Sequence, residues 1–276
     1  MNEFVKCRRL ELSSMAGFNL SRLVPFICDR LVLVTKTGYD DFSDNVLTML
    51  DLNGKQMAKN TENNQSRINA LGSYSNYVLL ALTDQKSGRE LIKIYNASLQ
   101  LITSIVTEFK CEQFFFNDSY LYTKLESNYP YCYKFDYDLL RHPLFESFTA
   151  QTELFVSFVV DKLIHISSNT NRIYFNDKCF SRLKIFSEMT GQLIGSIRVD
   201  SLRECSIRID SSLVNSDQFL CLNKEQRVLR VYDASDGSLL SENFLCKSIR
   251  NISNFYLTKD GNYVFEDTLN DCVYFY

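Results

Sequence analysis

The sequence has no tryptophan, three prolines, nine glycines and two histidines in 276 residues. Two imidazoles, His142 and His165, are too few for a site built from several of them. The nine cysteines contain no CxxC or CxC pair, so the close ligand spacing of a zinc module is missing as well. Apolar runs are short: LFVSFVV (154–160) is far below the roughly 20 residues that a membrane-spanning helix needs. No segment repeats apolar residues at helical spacing over a dozen positions. Neither a G-x-S-x-G elbow, a GxxxxGK[ST] phosphate loop nor a GxGxxG turn occurs. The charge is nearly balanced, 30 basic against 33 acidic residues, so no global field draws the chain to nucleic acid or an anionic membrane. The stretch MNEFVKCRRLELSSM has charges where a signal peptide carries its apolar core. The resulting expectations are a cytoplasmic monomer, reduced cysteines and no cofactor or metal.

What is abundant is aromatic: 21 Phe and 16 Tyr favour pleated surfaces that pack on one another. Alternating or apolar runs recur as RLVLVTK (30–36), NVLTMLD (45–51), NYVLLALT (76–83), ELIKIYN (90–96) and RVLRVYD (227–233). Such runs read as strands, and the chain is expected to be all-β.

The strands repeat. Aligning those that end in a large apolar residue before a polar one places Leu50-Asp51, Tyr95-Asn96, Phe135-Asp136, Phe186-Ser187, Tyr232-Asp233 and Phe275 in one register. The separations are 45, 40, 51, 46 and 43 residues. A period near 45 with about four short strands is the spacing of β-propeller blades. After the aligned strand come LDLNGKQM, YNASLQLI, FSEMTGQLI and YDASDGSLL, each a strand end, a polar turn and a return strand. Gly54, Gly191 and Gly237 supply the conformational freedom that such turns often need.

This layout predicts one domain over 1–276, a six-bladed β-propeller of four-stranded antiparallel blades. The blades fall at about 20–60, 66–107, 111–149, 153–200, 204–246 and 250–276. The last has only three strands of its own. Residues 1–13 hold the one unassigned alternating segment, VKCRRLELS, which is expected to pair with Cys272 to Tyr276 and complete that blade.

The stretch DGNYVFEDTLNDCVYFY resembles the NHL repeat, with Gly261, Val264, Asp267, Asn270, Val273 and Phe275 on its pattern. RLKIFSEMTGQLIGSI, ELIKIYNASLQLITSI and VLRVYDASDGSLL resemble its aromatic, turn and return strand. The resemblance implies a six-bladed propeller that binds partners, some relatives binding RNA.

The chemistry points to a surface rather than to a reaction centre. Asp40, Asp41 and Asp44 in GYDDFSD lack the spacing of a calcium loop and read as a solvated acidic loop. His165 alternates within an apparent inner strand and reads as a core imidazole. The loops between the second and third strands of each blade share one face, expected at 37–44, 84–89, 126–130, 168–181, 223–226 and 267–271. On that face Arg172, Tyr174, Phe175, Lys178 and Phe180, with Tyr39, Phe42 and Tyr129, are the expected partner-binding residues, because aromatics and arginine dominate binding hot spots. The leading expectation is a non-catalytic scaffold for a protein or peptide. RNA binding through Arg172, Lys178, Arg182, Arg227, Lys247 and Arg250 is the alternative, opposed by acidic residues on the same face. A calcium-dependent hydrolase ranks third.

Overall fold

The computed structural model describes residues 2–3, 8–11, 19–26, 30–36, 44–51, 53–62, 66–74, 76–107, 110–116, 120–125, 132–136, 151–152, 162–167, 170–177, 181–187, 190, 192–198, 205–210, 217–246, 249, 251–252, 254–257, 262–267, 269–270 and 272–276. Two short strands open it, β1 (Asn2–Glu3) and β2 (Arg8–Glu11). The rest forms successive meanders whose strands we letter a to d, from the innermost outward. They are β3 (Asn19–Phe26) to β4 (Arg30–Lys36), β5 (Asn45–Asp51) and β6 (Gln56–Glu62); then β7 (Ser66–Tyr74), β8 (Tyr77–Asp84), β9 (Glu90–Tyr95) and β10 (Leu101–Thr107). Next come β11 (Cys111–Phe116), β12 (Tyr120–Leu125), β13 (Cys132–Asp136) and β14 (Gln151–Thr152), followed by β15 (Lys162–Ser167), β16 (Arg172–Asp177), β17 (Arg182–Ser187) and β18 (Leu193–Arg198). The remaining meanders are β19 (Cys205–Asp210), β20 (Gln218–Asn223), β21 (Val228–Asp233) and β22 (Leu239–Phe244), and β23 (Asn254–Leu257), β24 (Tyr263–Asp267) and β25 (Cys272–Phe275). The a strands touch in the order β3, β7, β11, β15, β19, β23 and back to β3, so the sheets stand in a closed ring.

The b and c strands are apolar on both sides because each sheet is sandwiched between two others. Val32, Val34, Leu47 and Met49 pack on Val78, Leu80, Leu82 and Tyr95 of the following sheet. The alternate residues Leu31, Leu33 and Leu50 face the opposite way and meet Val264, Val273 and Phe275. Each such leucine or valine, wholly buried, contributes roughly 1.5–3 kcal/mol, and the core is distributed between blades rather than gathered at one centre.

The N-terminal segment joins the ring at two places. β2 runs antiparallel to β25, with Arg8 opposite Phe275 and Leu10 opposite Val273. This is the pairing that the unassigned alternation indicated. β1, which sequence reasoning did not place, lies parallel to β22, Asn2 opposite Asn243 and Glu3 opposite Phe244.

Polar residues closing the c strands hold the c–d turns. Asp51 Oδ1 accepts hydrogen bonds from the amides of Asn53 and Lys55 at 2.8 and 2.9 Å. Asn96 Oδ1 does the same for Ser98 and Gln100, both at 2.9 Å, and Asp233 Oδ1 for Ser235 at 2.6 Å. Within these turns Gly54, Leu99 and Gly237 have φ of 80°, 57° and 80°. The turns also lean on the preceding blade: a Cβ on Gly54 would fall 2.3 Å from Leu10 Cδ1, and one on Gly237 2.5 Å from Ile197 Cγ2. Just beyond each turn the d strand carries a bulge, so that Met57, Ile102, Ile194 and Leu240 are extra residues, all exposed.

Candidate b–c face

An antiparallel meander puts every b–c turn at the same end of the ring, opposite the c–d turns. The segment expected to dominate that end, 168–181, is not one loop. Arg172–Asp177 within it is strand β16. Tyr174 is fully buried and Phe175 is 6% exposed, its ring meeting Phe186 edge-on at 5.3 Å. These two aromatics are therefore core, and their proposed exposure is corrected. RIYF misled because a strand covered on both faces shows an unbroken apolar run rather than alternation. The runs YVLLAL and QFLCL, in the same b position, carried the signal that would have identified it. Arg172 opens the strand, half-buried. Lys178, Phe180, Tyr39, Phe42 and Tyr129 lie outside the described residues, as do His142, Asp40, Asp41, Lys247 and Arg250. His165 lies in β15.

The described part of the face is built from polar residues that end the b strands. Asp84 accepts from the amides of Lys86 and Ser87 at 2.9 and 3.4 Å and from the Ser87 hydroxyl at 2.9 Å. Those bonds, the Ser87 hydroxyl first, hold its carboxyl below the usual range. Asn223 Oδ1 accepts from Gln226 N at 2.9 Å. Asp267 accepts from the Asn270 amide at 3.1 Å and from Asn270 Nδ2 at 2.8 Å. Asp177 pairs with Lys184 at 2.9 Å. These polar groups serve their own turns and strands. The Asp267 turn presents Leu269, 79% exposed, at its tip.

A second group lies toward the axis, where the sheet of β19 meets that of β23. Arg208 on β19 donates through Nε to the Phe255 carbonyl at 3.0 Å and through Nη2 to Asn254 Oδ1 at 2.8 Å. Its guanidinium stands 5.2 Å from the centre of the Tyr256 ring, an attractive cation–π geometry. The Tyr256 hydroxyl donates to Glu266 Oε2 at 3.1 Å and accepts from Asn254 Nδ2 at 3.1 Å. Burial pushes the Arg208 pKa down against the opposing pull of Tyr256 and Glu266. Lys224, in the b–c turn of the same sheet, is lowered by burial first, with Glu266 opposing and Arg208 reinforcing the shift. Arg208, Lys224 and Glu266 thus lie within electrostatic reach of one another at this boundary. Sequence reasoning missed Arg208, Lys224 and Leu269. Only Lys224 had a signal there, as a cation in an expected b–c loop. Among the described residues no group of three His, Cys, Asp or Glu is placed to hold a metal ion.

No family model matches the chain, and no curated protein does. The NHL resemblance therefore has no family match behind it. Solved structures do match. The β-propeller domain of Cps50 (Swd1) from Myceliophteria thermophila is 12% identical, with a TM-score of 0.55 over 94% of this chain and 82% of that one. Hsv2 of Kluyveromyces lactis, with its complete loop 6CD, is 13% identical, with a TM-score of 0.52 over 90% and 70%. At such identities the likeness establishes the fold, and the chain is an all-β propeller. Among the described residues no helix is long and apolar enough to cross a membrane.

Proposed function

We propose that the chain is a non-catalytic interaction scaffold, which binds a protein or peptide through the b–c end of the ring. The observation that carries this reading is Leu269, 79% exposed on a turn braced by Asp267 and belonging to the sheet beside that of Arg208 and Lys224. An apolar anchor beside fixed polar groups on a rigid frame is the arrangement binding surfaces favour. A six-bladed ring in one domain is part of the proposal, supported by the order in which the a strands touch. Kinship with NHL propellers rests on the Gly261 to Phe275 pattern alone. Residence in the cytoplasm accords with Cys111, Cys205, Cys221, Cys246 and Cys272 standing outside any disulfide.

The test is cross-linking mass spectrometry on the protein captured with its partner, comparing wild type with Leu269→Asp and Lys224→Glu. Cross-links are expected around 85–89, 224–227 and 269–270, with binding weakened roughly tenfold by a hot-spot change. Contacts confined to the c–d end would overturn the assignment of the face. RNA as the partner would show instead as nuclease sensitivity and a steep loss of binding with salt.

A further inference from the structure

We propose that the outer edge of β10 is a self-association surface, on which a second copy of this chain adds its own β10 in antiparallel register. The outermost strand of a blade presents unpaired backbone groups, and proteins commonly guard such edges with charge, proline or a covering segment. The other outer strands of this ring are guarded. β6 carries the exposed Lys59, β18 the exposed Arg198 and β2 the exposed Arg9. β22 carries Glu242 and is covered at Asn243 and Phe244 by β1. β14 spans only Gln151–Thr152. β10 reads LITSIVT, seven residues with no charge, no proline and no glycine.

Exposed apolar residues also stand on β18 and β22, at Leu193, Ile194, Leu239 and Leu240, so what sets β10 apart is its lack of charge. Leu101, Ile102 and Val106 are 50%, 41% and 43% exposed, and Ser104 is exposed between the last two. Ile105 and Thr107 turn to the core instead. In sequence Ile102, the extra residue of the bulge, and Val106 lie symmetrically either side of Ser104. In an antiparallel pair centred on Ser104, that serine meets its own copy and Ile102 of each chain meets Val106 of the other. The stripe is self-complementary and has no charge with which to select a foreign segment, which favours a second copy as the occupant. That an outer edge of this ring accepts a further strand is seen directly, where β1 adds to β22. A twofold pairing uses up the edge of both copies, so it closes as a dimer and does not propagate. One strand pair buries much less than the roughly 1,600 Å² of a standard interface, so the dimer is weak and depends on concentration. The proposal departs from the monomer expected from sequence.

Sedimentation velocity on the full chain over a wide concentration range tests the proposal, with circular dichroism confirming that each variant is folded. Wild type is expected to show a monomer–dimer equilibrium. Ser104→Lys sets like charges opposite each other and is expected to weaken dimerisation by roughly fivefold or more. Ile102→Lys combined with Val106→Glu places opposite charges across the pair and retains the dimer. Ile102→Lys combined with Val106→Lys abolishes it. A wild-type chain that stays monomeric throughout, indifference to Ser104→Lys, or identical behaviour of the two double variants would each overturn the proposal.

Discussion

Tyr174 donates its hydroxyl hydrogen to Asp217, joining a b strand of one sheet to the start of the next sheet's b strand. The same carboxylate accepts from Ser167 Oγ at 2.7 Å and from Thr170 Oγ1. Asp217, buried at 1% exposure, is thereby surrounded by donors, as a carboxylate out of water must be. At another boundary Glu62, which ends β6, receives the Tyr95 hydroxyl and the Lys93 ammonium from β9. Apolar contact presses neighbouring blades together without fixing their relative height. A directional lock between blades does fix it.

Removing the Asp217 carboxylate strands the hydroxyls that point at it. Asp217→Ala is expected to lower unfolding free energy by about 3 kcal/mol, and Tyr174→Phe by about 1 kcal/mol. Chemical denaturation of both single variants and of the double variant checks this. The double should cost clearly less than the sum, because the two residues share one interaction.

Burial first, and the facing carboxylate second, raise the Tyr95 and Tyr174 hydroxyl pKa values well above the ordinary 10.0; burial and Glu266 do so for Tyr256. The folded state then keeps protons that the unfolded state releases. Their contribution is fully present below about pH 10 and is lost as pH rises through the folded values. Stability should fall steadily above that point. Absorbance at the phenolate band should show these tyrosines silent until the circular dichroism signal of the sheets collapses. Ionisation of the full tyrosine complement before any loss of structure would contradict the locks.

Deleting residues 1–13 removes β1 and β2 and bares the edge of Cys272–Phe275. The expected result is a loss of several kcal/mol, from the pairing of a whole strand and the burial of Leu10, together with new self-association. Thermal melts and sedimentation check both. The new association arises at β25 and should be insensitive to Ser104→Lys, which separates it from the β10 dimer.

Gly54 has φ of 80° and no room for a Cβ against Leu10, whereas Gly88 has φ of 69° and open space. Gly88→Ala should cost about 1–2 kcal/mol, the backbone term alone. Gly54→Ala should cost more. The excess should shrink in a Leu10→Ala background if it arises from the contact between turn and N-terminal strand.

Much of the ring was legible because turns announce themselves. Asp51, Asn96, Ser187 and Asp233 recur after a large apolar residue because each stands at the end of a c strand and its side-chain oxygen accepts from an amide of the turn that follows. That one recurring requirement located the blade periods. The Arg8–Glu11 pairing was found by elimination, as the alternating segment without a partner. The candidate face was much less legible. RIYF looked like exposed aromatics because local sequence does not say whether one or both faces of a strand are covered. Leu269, by contrast, is a single leucine among polar neighbours, and only its burial could distinguish it. Arg208 lies in an ordinary alternating strand, and its partners Asn254 and Phe255 come from another blade. β1 is two residues long, too short for any periodicity.

The double attachment of the N-terminal segment has a consequence for how the protein is made. Arg8 meets Phe275, so β2 must wait for β25, made long after it, before it finds its place. Meanwhile the intervening meanders, whose strands pair mostly with their neighbours in sequence, can assemble as they emerge. Closure is then the slowest contact to form on entropic grounds. Until it forms, β25 and the lower part of β22 are unprotected. A ribosome-bound or truncated chain is therefore most prone to misassociate just before β25 is made, when most of the ring is already built.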